Sequence, residues 1–124
     1  MFREIYSAAE AGAYLPLADG LVLVGVDACA PCALAWEVLG EARFGALALT
    51  KIQLSLKTRD GCAFMRQQRI SAYPTFFFFT AGALVARFDG APAGDRAELS
   101  DWMGRKLLLQ CGIELPANGA MTNA

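Results

Sequence analysis

Cys29 and Cys32 stand at the junction of an apolar run and a helical pattern, in Asp27-Ala-Cys-Ala-Pro-Cys32. The thiolate is the nucleophilic form of cysteine. It is favoured where free backbone N–H groups and the partial positive charge of a helix N-terminus face the sulfur. Pro31 falls in the first turn, where its missing N–H costs little. The spacing across one helical turn lets two sulfurs come within disulfide range. The chemistry this allows is thiol–disulfide exchange. A second reading is a pair of small cysteines packing as hydrophobes. A zinc site wants four ligands, and the remaining Cys62 and Cys111 are isolated, so no metal is expected. The chain has no histidine. Ser–His and Cys–His catalysis are thereby excluded, and proton chemistry must come from Cys, Lys or carboxylates.

The elements that must position the pair can be read from apolar patterning. Leu21-Val-Leu-Val-Gly-Val26 is a continuous apolar run, rich in β-branched residues, and predicts a strand buried on both faces. A helix follows to about Arg43, with Cys32, Trp36 and Leu39 on one face. Ahead of them come a short strand over Phe2–Tyr6 and a helix to about Tyr14, which the capping-box spacing Ser7-Ala-Ala-Glu10 starts. Pro16, Asp19 and Gly20 mark a turn. Ala46–Leu54 reads as a second central strand. Asp60 is expected to cap a helix through about Gln68. After the turn Ser71-Ala-Tyr-Pro-Thr75, Phe76–Phe79 is a strand and Leu84–Phe88 its antiparallel partner. Asp95-Arg-Ala-Glu98 starts a last helix that buries Leu99, Trp102, Met103 and Leu107 and stops at Gly112. The order βαβαβαββα implies parallel strands joined by helical crossovers. The fold class is α/β, a three-layer sandwich with a central mixed β-sheet and helices on both faces. One domain over residues 1–112 is expected, with a flexible tail over 113–124.

Composition narrows the partners. The chain has 124 residues, of which 56% are hydrophobic and 19% charged, enough apolar content for a packed core. Eleven basic and 12 acidic residues leave a net charge of −1, so no basic field points to nucleic acid. The longest uncharged stretch, Ile70 to Ala86, is broken by Pro74 and Gly82 and falls short of the roughly 20 residues of a spanning helix. The start, Met-Phe-Arg-Glu-Ile-Tyr, lacks the apolar core of a secretory leader. A monomer in the cytoplasm, with no membrane or nucleic-acid partner, is the expectation.

Several features together resemble the thioredoxin family, over about Gly20 to Leu109. They are Cys-Ala-Pro-Cys after a buried-type strand, then Tyr73-Pro74-Thr75, then Gly82 and Gly90. The resemblance implies a thioredoxin-like fold and a thiol–disulfide oxidoreductase serving cell redox homeostasis. In it Cys29 attacks a target disulfide and Cys32 resolves the mixed disulfide. It implies a cis Tyr73–Pro74 bond set against the redox pair. Ala30, Pro31, Tyr73 and Pro74 then form a substrate groove, in which free backbone near Tyr73 pairs with an extended substrate. Protein substrates and a thiol-reducing system are the implied partners. No bound cofactor is implied beyond the Cys29–Cys32 disulfide. Lys51 resembles the family's partly buried lysine, which favours a thiolate; alternatively it is a strand-end lysine snorkelling to water.

The departures from the family pattern are specific. Ala28 replaces a Trp, Ala30 a Gly, and Val24-Gly25 an aromatic pair. Leu23 stands where a buried acid helps deprotonate the second cysteine, so release by Cys32 is expected to be slow. These changes motivate a rival function, a thioredoxin-fold interaction module with little turnover. A redox sensor that also uses Cys62 or Cys111 is a third reading. Cys62 is expected to be a small buried hydrophobe, and Cys111 an exposed thiol or the site of an intermolecular disulfide.

Overall fold

Five strands and four helices form in the order read from the pattern, and the sheet brings together strands far apart in sequence. The structure is a computed structural model and describes residues 2–116. The strands are β1 (Phe2–Ile5), β2 (Gly20–Val26), β3 (Leu49–Leu54), β4 (Thr75–Thr80) and β5 (Ala83–Asp89). The helices are α1 (Ala8–Tyr14), α2 (Ala30–Leu39), α3 (Arg59–Gln67) and α4 (Arg96–Cys111). The spatial order is β1-β3-β2-β4-β5. β1 and β2 run parallel to β3, while β4 runs antiparallel to β2 and to β5.

Alternation along the strands divides the core in two. Val22, Val24, Ile52, Leu54, Phe77 and Phe79 face α1 and α3 with Ala11, Phe64 and Met65. Leu21, Leu23, Leu49 and Phe76 face α2 and α4 with Ala35, Val38, Leu39, Leu99, Met103 and Leu107. β2 is thus apolar on both sides, as a strand between two helical layers must be, whereas β3 turns Lys51 and Gln53 toward the α2 side.

Helix ends follow local side-chain chemistry. Ser7 accepts a hydrogen bond from the Glu10 N–H at 3.1 Å and starts α1. Asp95 and Glu98 form a reciprocal capping box at the start of α4. Gly112 ends α4 at φ 69°; its own N–H reaches the Leu108 carbonyl at 3.2 Å and the Ile113 N–H the Leu107 carbonyl at 3.0 Å, so two of the helix's last carbonyls are satisfied.

Three local expectations are corrected. Thr58, not Asp60, caps α3: its hydroxyl accepts from the Gly61 N–H at 3.0 Å, and Asp60 lies inside the first turn. α2 stops at Leu39 rather than near Arg43, because Gly40 intervenes and the chain re-forms only a 3-10 turn over Ala42–Phe44. β3 begins at Leu49, not Ala46. Beyond Gly112, Ile113 and Leu115 pack against the α2/α4 core, so packed chain continues past the boundary drawn from the sequence. The rest of the expected tail, 117–124, lies outside the described residues. Among the described residues no helix is long and apolar enough to cross a membrane.

Candidate functional site

β2 delivers the chain to the redox pair. Val26 ends the strand, Ala28 turns with φ 55°, and Cys29 is the N-cap of α2. A positive φ is uncommon outside glycine, so the turn at Ala28 is held by its surroundings rather than by preference. Cys29 and Cys32 are joined as a disulfide with Cα atoms 5.3 Å apart. Cys29 is half-buried, and Cys32 is only 7% exposed. The Cys32 N–H donates to the Cys29 Sγ at 3.2 Å, so the sulfur takes the place that a Ser or Asp oxygen usually fills at a helix start. The same N–H, with the positive end of the helix, stabilises negative charge on that sulfur when the pair is reduced.

Gly25 sits under the pair on β2. A Cβ added there would lie 2.9 Å from the Cys32 Sγ and 3.0 Å from its Cβ, so a side chain at this position would press into the disulfide. The absence of side chain at Gly25 and the short ones at Ala28 and Ala33 leave an open cavity of about 610 Å³ beside the sulfurs. Cys29, Ala30, Cys32 and Lys51 all line it. Pro31 is exposed on the first turn and outside that wall.

Tyr73 and Pro74 come to the same end of the sheet from β4. Thr75 pairs with Val24, so Tyr73 and Pro74 continue past the last paired residue, level with the strand end that leads to Cys29. The Tyr73–Pro74 peptide bond is cis. Pro74 is buried, and Tyr73 packs against the α1/α3 core.

Lys51 is held by contacts that sequence reading did not find. Its register partners are Glu4 on β1 and Leu23 on β2, so the three side chains stand in a row on one face. The Lys51 Nζ lies 3.2 Å from Glu4 Oε1, 5.4 Å from the Tyr6 ring centre and 5.5 Å from that of Trp36. Burial disfavours the ammonium, but hydrogen bonds with Tyr6 and Glu4, and their charges, outweigh it and hold Lys51 above the ordinary lysine value. The Tyr6 hydroxyl, donating to Glu4 Oε1 at 2.7 Å, and then the Lys51 ammonium hold the Glu4 carboxyl below its usual range. Period-2 alternation puts Tyr6, one residue past the end of β1, on the same side as Glu4, which is the trace of this cluster in the sequence. Leu23, 1% exposed, fills the β2 position of this row, so its one carboxylate, Glu4, stands two strands away on β1.

The other cysteines are not joined to the pair. Cys62 is half-buried rather than a buried core residue, and its thiol donates to the Leu56 carbonyl at 3.0 Å. Cys111 is half-buried against the α2/α4 core rather than exposed, and burial pushes its thiol pKa up. Trp102 stacks obliquely on Phe76 and edge-on to Phe88, a packing role, whereas Trp36 borders the cavity. Among the described residues no group of three or more His, Cys, Asp or Glu side chains is placed to hold a metal ion.

No protein-family model and no curated protein matches the sequence. Solved structures do match the fold. Thioredoxin f2 of Chlamydomonas reinhardtii is 19% identical, with 89% of this chain and 97% of that chain covered, at a TM-score of 0.58. Thioredoxin O1 of Arabidopsis thaliana in its oxidised state is 17% identical, with 84% and 96% covered, at 0.59. Thioredoxin NaTrxh of Nicotiana alata is 20% identical, with 87% and 92% covered, at 0.57. The chain therefore has the thioredoxin fold, with a disulfide-bonded Cys-x-x-Cys pair at the start of α2.

Proposed function

We propose that this protein is a thiol–disulfide oxidoreductase that exchanges disulfides with protein substrates through Cys29 and Cys32. The observation that carries the reading is the half-buried Cys29 sulfur at the N-cap of α2, bonded to Cys32 and accepting its N–H. In the reduced protein the Cys29 thiolate attacks one sulfur of a substrate disulfide. That S–S bond breaks, and the departing substrate thiolate takes up a proton. Cys32 then loses its proton and attacks the Cys29 sulfur, which frees the second substrate thiol. The substrate gains two electrons and two protons, and the protein is left with the Cys29–Cys32 disulfide. A thiol-reducing system resets it, or the same steps reversed oxidise a substrate dithiol.

Placement supports the assigned roles. Cys29 is the more exposed sulfur and takes the nucleophilic part, while the buried Cys32 resolves. Ala30, Pro31, Tyr73 and Pro74 shape the groove at the sheet end, where unpaired backbone before Thr75 is open to an extended substrate. Lys51 supplies positive charge in the cavity wall and favours the thiolate. The reading also holds that the protein works as a cytoplasmic monomer, without a bound cofactor.

The buried Leu23 under the pair supports the alternative of an interaction module with little turnover, since no carboxylate is there to deprotonate Cys32. Reduction of a protein disulfide by the wild type, Cys29→Ser and Cys32→Ser separates the two. The oxidoreductase reading expects turnover by the wild type, none by Cys29→Ser, and a trapped mixed disulfide with Cys32→Ser. Equal substrate reduction by wild type and Cys29→Ser overturns it.

A further inference from the structure

We propose that the cavity between α2 and the ends of β2 and β3 is a specificity pocket for a bulky apolar residue next to the reacting cysteine of a protein substrate. This rests on the oxidoreductase reading and goes beyond it by naming the substrate feature that the site selects. At about 610 Å³ the cavity is in the range of ligand pockets. Both cysteines form part of its wall, so it is continuous with the reacting sulfurs. A substrate chain advances by ~3.3–3.6 Å per residue, which brings the neighbour of a cysteine joined to Cys29 to the cavity mouth.

The wall decides the chemistry of the occupant. Its floor and sides are Leu23, Gly25, Val26, Ala28, Ala33 and Trp36, with no polar side-chain atom other than the indole N–H. Three polar side chains border it, and each already has a partner that lies outside the cavity wall. The Lys51 Nζ pairs with Glu4 at 3.2 Å, the Gln53 amide donates to Asp27 at 2.8 Å, and Glu37 faces Arg96 at 3.9 Å. A polar occupant would have to share these groups with partners they already hold, at the rim rather than at the apolar floor. An apolar one displaces only water and gains its transfer free energy from burial. Gly25 keeps the floor open, since any side chain there meets Cys32 before it meets a ligand.

The test compares the reduced full-length protein on three disulfide-linked peptide dimers, identical except that Phe, Ala or Asp follows the cysteine. The readout is kcat/KM for release of peptide thiol. The pocket predicts about a tenfold preference for Phe over Ala, the scale on which apolar pockets discriminate, and Asp no better than Ala. Ala33→Leu fills the cavity from an exposed helical position that tolerates leucine, and it should bring the Phe-to-Ala ratio close to one. Equal rates on all three peptides, or a ratio unchanged in Ala33→Leu, overturn the pocket and leave the oxidoreductase reading standing. Fastest reaction with Asp overturns the apolar occupant and makes Lys51 the selecting group. Reaction with none of the three overturns the oxidoreductase reading, and the pocket falls with it.

Discussion

The two faces of the sheet are made by the same strands and differ at one end. Toward α1 and α3, the ends of β2 and β3 present Val24, Ile52 and Leu54, all buried against Phe64, Met65 and Phe77. Toward α2, the intervening positions of the same strands are Gly25, Lys51 and Gln53, and a cavity opens beside the disulfide. One face is closed packing. The other stops being packed where the cysteines begin. The helix that covers the open face is also the one that carries the pair. The contrast assigns stability to one set of alternating residues and reactivity to the other, and substitutions on each side put that division at risk.

The largest effect is expected on the closed face. Phe77→Ala should lower unfolding free energy by about 3–5 kcal/mol, read from urea denaturation, because Phe77 is 4% exposed within that core. A loss under ~1 kcal/mol would mean that this face is not the packed one. Next comes Gly25→Ala. Its new Cβ meets Cys32 Sγ, so an overpacking loss of about 1–3 kcal/mol is expected together with a changed midpoint of the pair in redox buffers. Unchanged values for both would remove the close approach from the account.

Lys51→Met should leave folding largely intact and slow alkylation of the reduced Cys29 at neutral pH by about two- to fivefold, since a positive charge leaves the cavity wall. An equal or faster rate would mean that Lys51 serves only its pair with Glu4. The smallest effect belongs to that pair. Glu4 is held below its ordinary value of 4.5, so its contribution to stability is present above that pH and is lost as pH falls through the lower folded value. Lys51 is held above 10.5, so its contribution is present below that pH and is lost as pH rises through the higher folded value. The stability difference between wild type and Glu4→Gln should therefore be flat between these limits and shrink toward both. A difference that grows with acid would contradict the pairing.

Much of the fold was legible because it is written locally. The run Leu21–Val26, the Ser7 and Asp95 caps and the Gly112 stop each act within a few residues, and the structure forms each of them. The Cys29–Cys32 pair was legible for the same reason. Thr58 and Asp60 are both residues that cap helices, and two positions decide between them, so the start of α3 was misplaced. The Glu4–Lys51 row was not legible, since it depends on β1 pairing with β3 at the sheet edge, a choice made by the whole sheet. The cavity was not legible either. Small residues at 25, 28 and 33 are visible in sequence, but the space they leave exists only once α2 lies across β2 and β3.

The most direct test is equilibration of the full chain across graded thiol–disulfide buffers, followed by alkylation and peptide mass mapping. Cys62 and Cys111, which have no disulfide partner in the structure, act as internal controls. The account predicts that Cys29 and Cys32 alone pass together from two thiols to one disulfide. Persistence of both as thiols across the whole range would contradict it and leave the cavity and the sheet end as a binding surface without redox chemistry.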